Sequence, residues 1–337
     1  MKTYFIILIV FLSTAFLGLL LGSVNLPIIE VLKILMGQAA DNGAWSSIVW
    51  NHRVPRVLTA MMAGASLSLS GLFMQTFFRN PLAGPFVLGI SSGASLGIAM
   101  VVLGGGAGLY LGLTEVPQVP ITLAAILGSA LIFLVIMFFA NKVREHTSLL
   151  IIGLMFSSAA GALVNVLQYF SPADNIQYYI IWTFGDLSGV SMNEVGVMFA
   201  VLFIAGIGII MVIKVLNIYL IGEEYAENAG VNLKYSRYLI ISITALLAGT
   251  TTAYCGPIAF VGLATPHIAR MVLDTSDHRQ LIPYSAILGA TVLLICDLIA
   301  RLPGVSDTLP LNAVTSILGG PLVIWLIVTK KNLQHSF

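Results

Sequence analysis

Charge is what this chain has least of. Only 9% of its 337 residues are Asp, Glu, Lys or Arg, against roughly a quarter in a soluble domain. With 58% hydrophobic residues and a mean hydropathy of +0.99, it lacks the polar surface of a water-soluble globule. A soluble enzyme, a nucleic-acid-binding domain and a disordered chain are excluded. Neither sign of charge dominates, since 15 Lys and Arg against 14 Asp and Glu leave +1, so no bulk field draws nucleic acid. The two cysteines, Cys255 and Cys296, lie inside apolar runs and read as small core residues, not as a disulfide framework or a metal site. A G-x-x-x-x-G-K-[ST] phosphate loop is also missing. The Gly104-Gly105-Gly106 run continues into Ala107-Gly108 without a lysine, which suits a flexible turn and not a nucleotide cradle. Work driven by ATP would have to come from another subunit.

Long apolar runs are what the chain has in quantity. A spanning helix needs about 20 apolar residues, and ten candidates appear, at about 4–24, 54–78, 86–103, 119–140, 148–170, 192–213, 237–254, 257–273, 283–299 and 313–328. Gly256-Pro257 is a strong breaker and divides the close pair around it. The first run is longer than the apolar stretch of a signal peptide and is read as a retained helix. The fold expected is an all-α polytopic membrane protein, a single transmembrane domain over 1–337, with no separate soluble domain.

Loop lysines and arginines set the orientation. With ten spans, eleven of them, among them Lys2, Arg79, Arg144, Lys214, Lys330 and Lys331, fall on one side, and four, Lys33, Arg53, Arg56 and Arg301, on the other. Both termini are therefore expected in the cytoplasm. Arg53, Arg56 and Arg301 stand out as outer basic residues.

An internal repeat is visible. Ala63-Gly64, Ser70-Gly71 and Pro81 recur as Ala248-Gly249, Cys255-Gly256 and Pro266, each at an offset of 185. Ala125-Ile126-Leu127-Gly128 recurs as Ala286-Ile287-Leu288-Gly289 at 161, and Thr147-Ser148 as Thr315-Ser316 at 168. The halves, about 54–170 and 237–330, map helices two to five onto seven to ten. A shift of five helices is odd, so the halves point opposite ways, an inverted repeat common among transporters. Between them lies a charged loop, about 214–236, in which Glu223, Glu224 and Glu227 fit a short helix closed by Gly230.

Further motifs are spread along the whole chain. Arg53-Val54-Pro55-Arg56 leads into Gln75 and Asn80-Pro81-Leu82-Ala83, then Leu88-Gly89 and Ser92-Gly93-Ala94. Trp182-Thr183-Phe184-Gly185 and Gly222-Glu223-Glu224-Tyr225-Ala226 follow. Gly256-Pro257-Ile258-Ala259-Phe260-Val261-Gly262-Leu263, Pro266-His267-Ile268-Ala269-Arg270, Asp297-Leu298-Ile299-Ala300-Arg301 and Leu318-Gly319-Gly320-Pro321 complete the set. Together they resemble the FecCD-type permeases of bacterial ABC importers for iron-siderophores, haem and cobalamin.

The resemblance implies a multi-pass subunit of the bacterial cytoplasmic membrane that is not itself an enzyme. It implies a second permease copy, most simply in a homodimer, two ATP-binding subunits that hold ATP and Mg, and an extracytoplasmic substrate-binding protein. No catalytic residue, metal ligand or cofactor is assigned to this chain. Arg53, Arg56 and Arg301 match positions that dock the binding protein; snorkelling at the headgroups is the alternative. Gly222, Glu223, Ala226 and Gly230 match the helix that couples to the ATPase. Asn80, Leu82 and Thr147 match the inner gate.

On helix five, Gly153, Ser157, Gly161 and Asn165 form an i, i+4 stripe with Gln168 nearby. The stripe reads equally as close helix packing and as a pathway wall carrying Ser157, Asn165 and Gln168. His267, alone in its segment, is read as a structural histidine. Asp297, one turn before Arg301, is expected to pair with it, because a lone carboxylate is costly in lipid. A proton relay through Asp297 would instead make the chain an ion-coupled secondary transporter. The cargo of the permease reading is a metal chelate, iron-siderophore first, with haem and cobalamin also admissible.

Overall fold

The computed structural model describes residues 2–22, 24–38, 42–104, 118–143, 146–301 and 308–329. Gly105, Gly106, Arg144, Lys330 and Lys331 lie outside them. Among the described residues there is no strand, as expected where every backbone group must be satisfied within its own helix. Ten principal helices form the body: α1 (Lys2–Leu20), α2 (Val54–Phe77), α3 (Ile90–Val102), α4 (Gln118–Ala140), α5 (His146–Phe170), α6 (Met192–Ile221), α7 (Leu233–Cys255), α8 (Val261–Leu273), α9 (His278–Ala300) and α10 (Leu311–Thr329). Seven are long and apolar enough to cross a membrane, and α3, α8 and α10 are shorter apolar helices.

The ten correspond one for one to the apolar runs, with different ends. α6 continues eight residues past the expected 213 and α7 begins four before 237. The loop between them shrinks from 214–236 to 222–232. Both extensions rest on tertiary contacts: Asn217 and Tyr219 near the end of α6 bond to other segments, and Asn232 caps the first turn of α7. Helices at Ile28–Leu35, Gly43–Ile48 and Ala173–Thr183, and a π turn at Val49–Arg53, join the principal ones. None of these was expected from the search for spans, because each is far shorter than a bilayer crossing.

The repeat is present in three dimensions. α2 and α7 have 24 and 23 residues, α3 and α8 have 13 each, and α4 and α9 have 23 each. α2 packs on α8 and α9, and α7 packs on α3 and α4; α3 packs on α4 as α8 does on α9. Exchanging the halves therefore exchanges these contacts. Glycine makes the crossings close. A side chain on Gly64 would enter the Gly289 backbone, one on Gly289 the Gly64 backbone, and Gly93 and Gly128 stand in the same reciprocal relation. These are small-residue crossings, the usual way membrane helices approach. Hydroxyls add to them: Ser68 donates to the Ser285 carbonyl at 2.7 Å, and Thr265 to Ser68 at 2.8 Å.

α1 belongs to the bundle. Tyr4 donates to the Gln280 carbonyl at 3.0 Å and stacks edge-on against Tyr284, while Ile7 sits in the core. This contact places the start of α1 at the end of the bundle that also holds Asn80 and Asp277. Arg53, Arg56 and Arg301 lie at the opposite end, one length of α2 away.

Candidate transport site and its two ends

The two halves are interrupted at matching places. With 13 residues, α3 and α8 rise about 20 Å each, less than the roughly 30 Å hydrocarbon core. Before α3 the chain makes a 3-10 turn at Pro85–Leu88 that ends at Gly89, with φ of 73°. Before α8 it passes Gly256, with φ of 72°, and Phe260, with φ of 66°. Such irregular backbone is tolerated at membrane depth only against protein or a water-filled cavity. Here the Asn312 side chain accepts from the Ala259 N–H at 3.1 Å. A cavity of about 260 Å³ lies between the breaks, lined by Phe86, Ser91, Ser92, Ser95, Pro257, Ala259 and Asn312. Broken helices at corresponding places in inverted halves mark transport sites in membrane carriers. No pathway role was assigned to these serines or to Asn312 from the sequence, although Ser92 falls in a quoted motif. Gly89 and the Gly256-Pro257 pair, both visible there, were the signal that could have found them.

The stripe on α5 divides in two. Gly153 lies against the Val87 backbone, and Ser157 donates to the Gly153 carbonyl at 2.9 Å beside Gly89. This half is packing, seated on the break before α3. Gly161 has open space where a side chain would be, Asn165 is exposed and Gln168 is half-buried. That half is free to face a pathway or a second chain.

At the Arg56 end, Asp297 is buried at 1% exposure between two guanidinium groups, with Arg56 at 2.8 Å and Arg301 at 2.5 Å. The i, i+4 pair expected from the sequence is formed, and Arg56 joins it from 241 residues away. A carboxylate held by two cations is compensated in place. Arg53 turns inward. It donates to the carbonyls of Leu19, Leu20 and Val24 at 2.9, 2.6 and 2.6 Å, and Arg301 reaches that of Leu21 at 3.2 Å. Two guanidinium groups thus satisfy the open carbonyls at the end of α1. Neither Arg53 nor Arg301 snorkels; both are buried, and Arg56 is half-buried.

At the Asn80 end, Asn80 accepts from the Leu82 N–H at 2.9 Å in a tight turn, and Leu82 is exposed. Thr147 is exposed in the first turn of α5 at the same end. Residues Glu223–Asn228 form the short helix expected between the halves. It is hinged at Gly222, with φ of 147°, and closed at Gly230, with φ of 81°. Ala226 is fully buried, while Tyr225 and Glu227 are exposed. The helix packs on α6 and α7, so Ala226 seats it on its own chain. The side chains of Glu223 and Glu224 lie outside what the structure describes.

A buried polar network underlies this end. Arg270 on α8 donates to Gln75 at 2.7 Å and to Thr76 at 3.1 Å. Thr76 meets His278 at 2.8 Å, and His278 meets Asn217 at 2.7 Å. Asn217 donates to Asp277 at 2.7 Å, and Asp277 caps α9 by accepting from the Arg279 N–H at 3.0 Å. That backbone bond, then the Asn217 bond, holds the Asp277 carboxyl below its usual range. His267 is buried at 8% exposure. Among the described residues no cluster of three His, Cys, Asp or Glu could hold a metal ion.

An inverted pair of four-helix units, broken at matching points around a small polar cavity, is the architecture of a membrane transport permease. The chain belongs to the FecCD transport family, whose model matches residues 7–329. It is 33% identical to the vitamin B12 import system permease protein BtuC of Citrobacter koseri over 317 residues, 91% of this chain and 94% of that protein. Against BtuC of Escherichia coli O127:H6 the identity is 33%, covering 90% and 93%. Among solved structures it superposes on a metal-chelate type ABC transporter in an inward-facing conformation, with a TM-score of 0.83 and 26% identity over 98% of this chain and 99% of that one. PsaBC from Streptococcus pneumoniae shares the fold at a TM-score of 0.56 and 18% identity, over 83% of this chain and 92% of that one.

Proposed function

We propose that this chain is the membrane-spanning subunit of an ATP-binding-cassette importer that passes a metal chelate into the cytoplasm. It works as a homodimer in the bacterial cytoplasmic membrane, with both termini cytoplasmic. Two ATP-binding subunits hold ATP and Mg, and an extracytoplasmic binding protein delivers the cargo. The observation that carries this reading is the Glu223–Asn228 helix, hinged between two positive-φ glycines at the end that also holds the Asn80–Leu82 turn. A seated helix with an exposed Tyr225 and Glu227 is a part that another subunit can push. In this assignment the Gly222 and Gly230 joints, with Glu223 and Ala226, carry coupling, and Asn80, Leu82 and Thr147 form the gate. Ser157, Asn165 and Gln168 of α5 border the pathway, Ser157 from its packed half.

The cargo is a chelate and not a bare ion because the α5 stripe is uncharged. Cobalamin is the first cargo to test, given the relatives named above, with ferric siderophore and haem as comparisons. At the opposite end Arg56 is the primary contact for the binding protein, and Arg53 and Arg301 support it by holding α1 and Asp297.

The test is reconstitution. Tyr225→Arg with Glu227→Arg should release the ATP-binding subunits on size-exclusion chromatography and abolish chelate uptake by proteoliposomes, with the permease still folded. Normal uptake and an intact complex would overturn the reading.

A further inference from the structure

We propose that Arg79 is the positioning residue that ties the Glu223–Asn228 helix to the Asn80–Leu82 turn, so that movement of one moves the other. The inference rests on the coupling and gate assignments above and supplies the physical link between them.

Arg79 follows the end of α2. The Asn80 N–H reaches back to the Gln75 carbonyl at 3.0 Å and the Arg79 N–H to that of Thr76 at 3.2 Å. These two bonds close the helix in a Schellman turn, with Arg79 at the position after the cap. That position requires a left-handed backbone, and Arg79 has φ of 47°. Glycine is the usual occupant because it adopts this conformation without steric cost. An arginine there accepts strain that glycine would avoid, so the explanation lies in what its side chain does.

The side chain crosses to α6. Nε and Nη2 of Arg79 both donate to the Tyr219 carbonyl, at 3.1 and 2.7 Å. Tyr219 lies in the last turn of α6, where carbonyls have no partner within the helix and a cation is favoured by the helix dipole. Three residues on is Gly222, and a side chain there would stand 3.4 Å from Arg79 Nη2. The Gly222 carbonyl accepts from the Ala226 N–H at 2.9 Å, inside the short helix. The guanidinium therefore holds the last turn before the hinge. On the backbone side, the next residue is Asn80, whose side chain shapes the turn to Leu82. The route from short helix to gate turn is Gly222, Tyr219, Arg79, Asn80; beside it the Phe77 and Tyr219 rings meet across the two helices, with centroids 6.3 Å apart. The Asn217, His278 and Thr76 contacts join the same two helices deeper in the bundle. They and the Phe77–Tyr219 ring contact fix α6 against α2, and Arg79 is the bond made from the turn itself.

Arg79→Gly separates transmission from folding, because it removes the tie and relieves the backbone at once. The experiment uses the full complex in proteoliposomes. It measures ATP hydrolysis, chelate uptake and, by pulsed electron resonance, the distance between labels at Leu82→Cys in the two permease copies with and without trapped nucleotide. In Arg79→Gly we expect the ATP-binding subunits to stay bound and hydrolysis to continue. Uptake should fall by about tenfold or more, and the Leu82 distance should cease to respond to nucleotide. Arg79→Lys, which keeps one donor and the charge, should restore part of the response. Uptake and distance response equal to the parent in Arg79→Gly would overturn the proposal. Loss of the ATP-binding subunits in that variant would also overturn it, by making Arg79 a docking contact. If the parent complex itself shows no nucleotide-dependent change at Leu82, the gate assignment fails, and with it this inference.

Discussion

Asp297 shows how a residue's role depends on partners the local sequence does not contain. Arg301 is legible beside it at i, i+4, whereas Arg56 arrives from another helix. Asp297→Asn leaves the buried Arg301 and half-buried Arg56 guanidinium groups without their counter-charge and should cost about 3–5 kcal/mol, the usual penalty for breaking a buried pair. Arg56→Gln should cost less, because Arg301 still neutralises the carboxylate. Thermal unfolding in detergent, followed by tryptophan fluorescence, checks the order; equal melting temperatures for Asp297→Asn and the parent would contradict it. Asp277 gives a pH dependence of known sign. Its folded pKa is depressed by the Arg279 backbone bond and then by Asn217, so the carboxylate stabilises the fold above the unfolded value of about 3.9. That contribution is lost as pH falls through the lower folded value. Asp277→Asn keeps a capping side chain without a titrating group, so its melting temperature relative to the parent should rise as pH is lowered from 6 to 3.

At the scale of elements, glycine decides which helices meet. A Cβ on Gly71 would enter the Gly262 backbone, whereas one on Gly161 meets nothing within 4 Å. Gly71→Ala must move α2 away from α8, at the cost of overpacking, about 1–3 kcal/mol or more. Gly161→Ala should leave the isolated permease unchanged. Folded yield after detergent extraction distinguishes them, and equal yields would refute the close α2–α8 crossing. The α5 stripe could not be divided from sequence, since small residues at i, i+4 look alike whether they pack or stay open. The Pro85–Leu88 turn, a tertiary partner of α5, makes the difference between Gly153 and Gly161.

At the scale of the molecule, apolar surface stays exposed on several helices, among them α1, α4 and α6. Leu163, Val166, Tyr169 and Phe170 on α5 and Ile317, Leu318 and Trp325 on α10 are exposed, and these helices occupy matching places in the two halves. In the proposed homodimer α5 and α10 meet the second copy, and the Asn80 ends of both chains approach the shared axis. Leu82→Cys should therefore cross-link between copies in native membranes, with a yield that changes on adding nucleotide. Absence of the dimer band in every nucleotide state would count against the arrangement. Docking at the other end should depend on salt, since exposed charge contacts set on-rate more than affinity and are screened within about 3 Å at 1 M. Arg56→Glu should weaken binding-protein association in surface plasmon resonance at low salt, and the difference should narrow at high salt.

The sequence by itself determined the membrane class, the ten apolar helices, the repeat and the short helix before Gly230. Each is carried by composition, by runs about as long as the bilayer is thick, or by glycine and proline at set places, all local properties of the chain. Helix ends were less legible, as α6 shows: its final turns depend on Asn217 and Tyr219 finding partners far along the chain. The inward turn of Arg53, the second guanidinium on Asp297, the serine-lined cavity and the Arg79 bridge were decided only by tertiary structure. The physical reason is common to them. A buried donor or charge must be satisfied by whatever group lies within hydrogen-bond reach, and in this fold those groups belong to helices brought together by crossings the one-dimensional pattern does not encode.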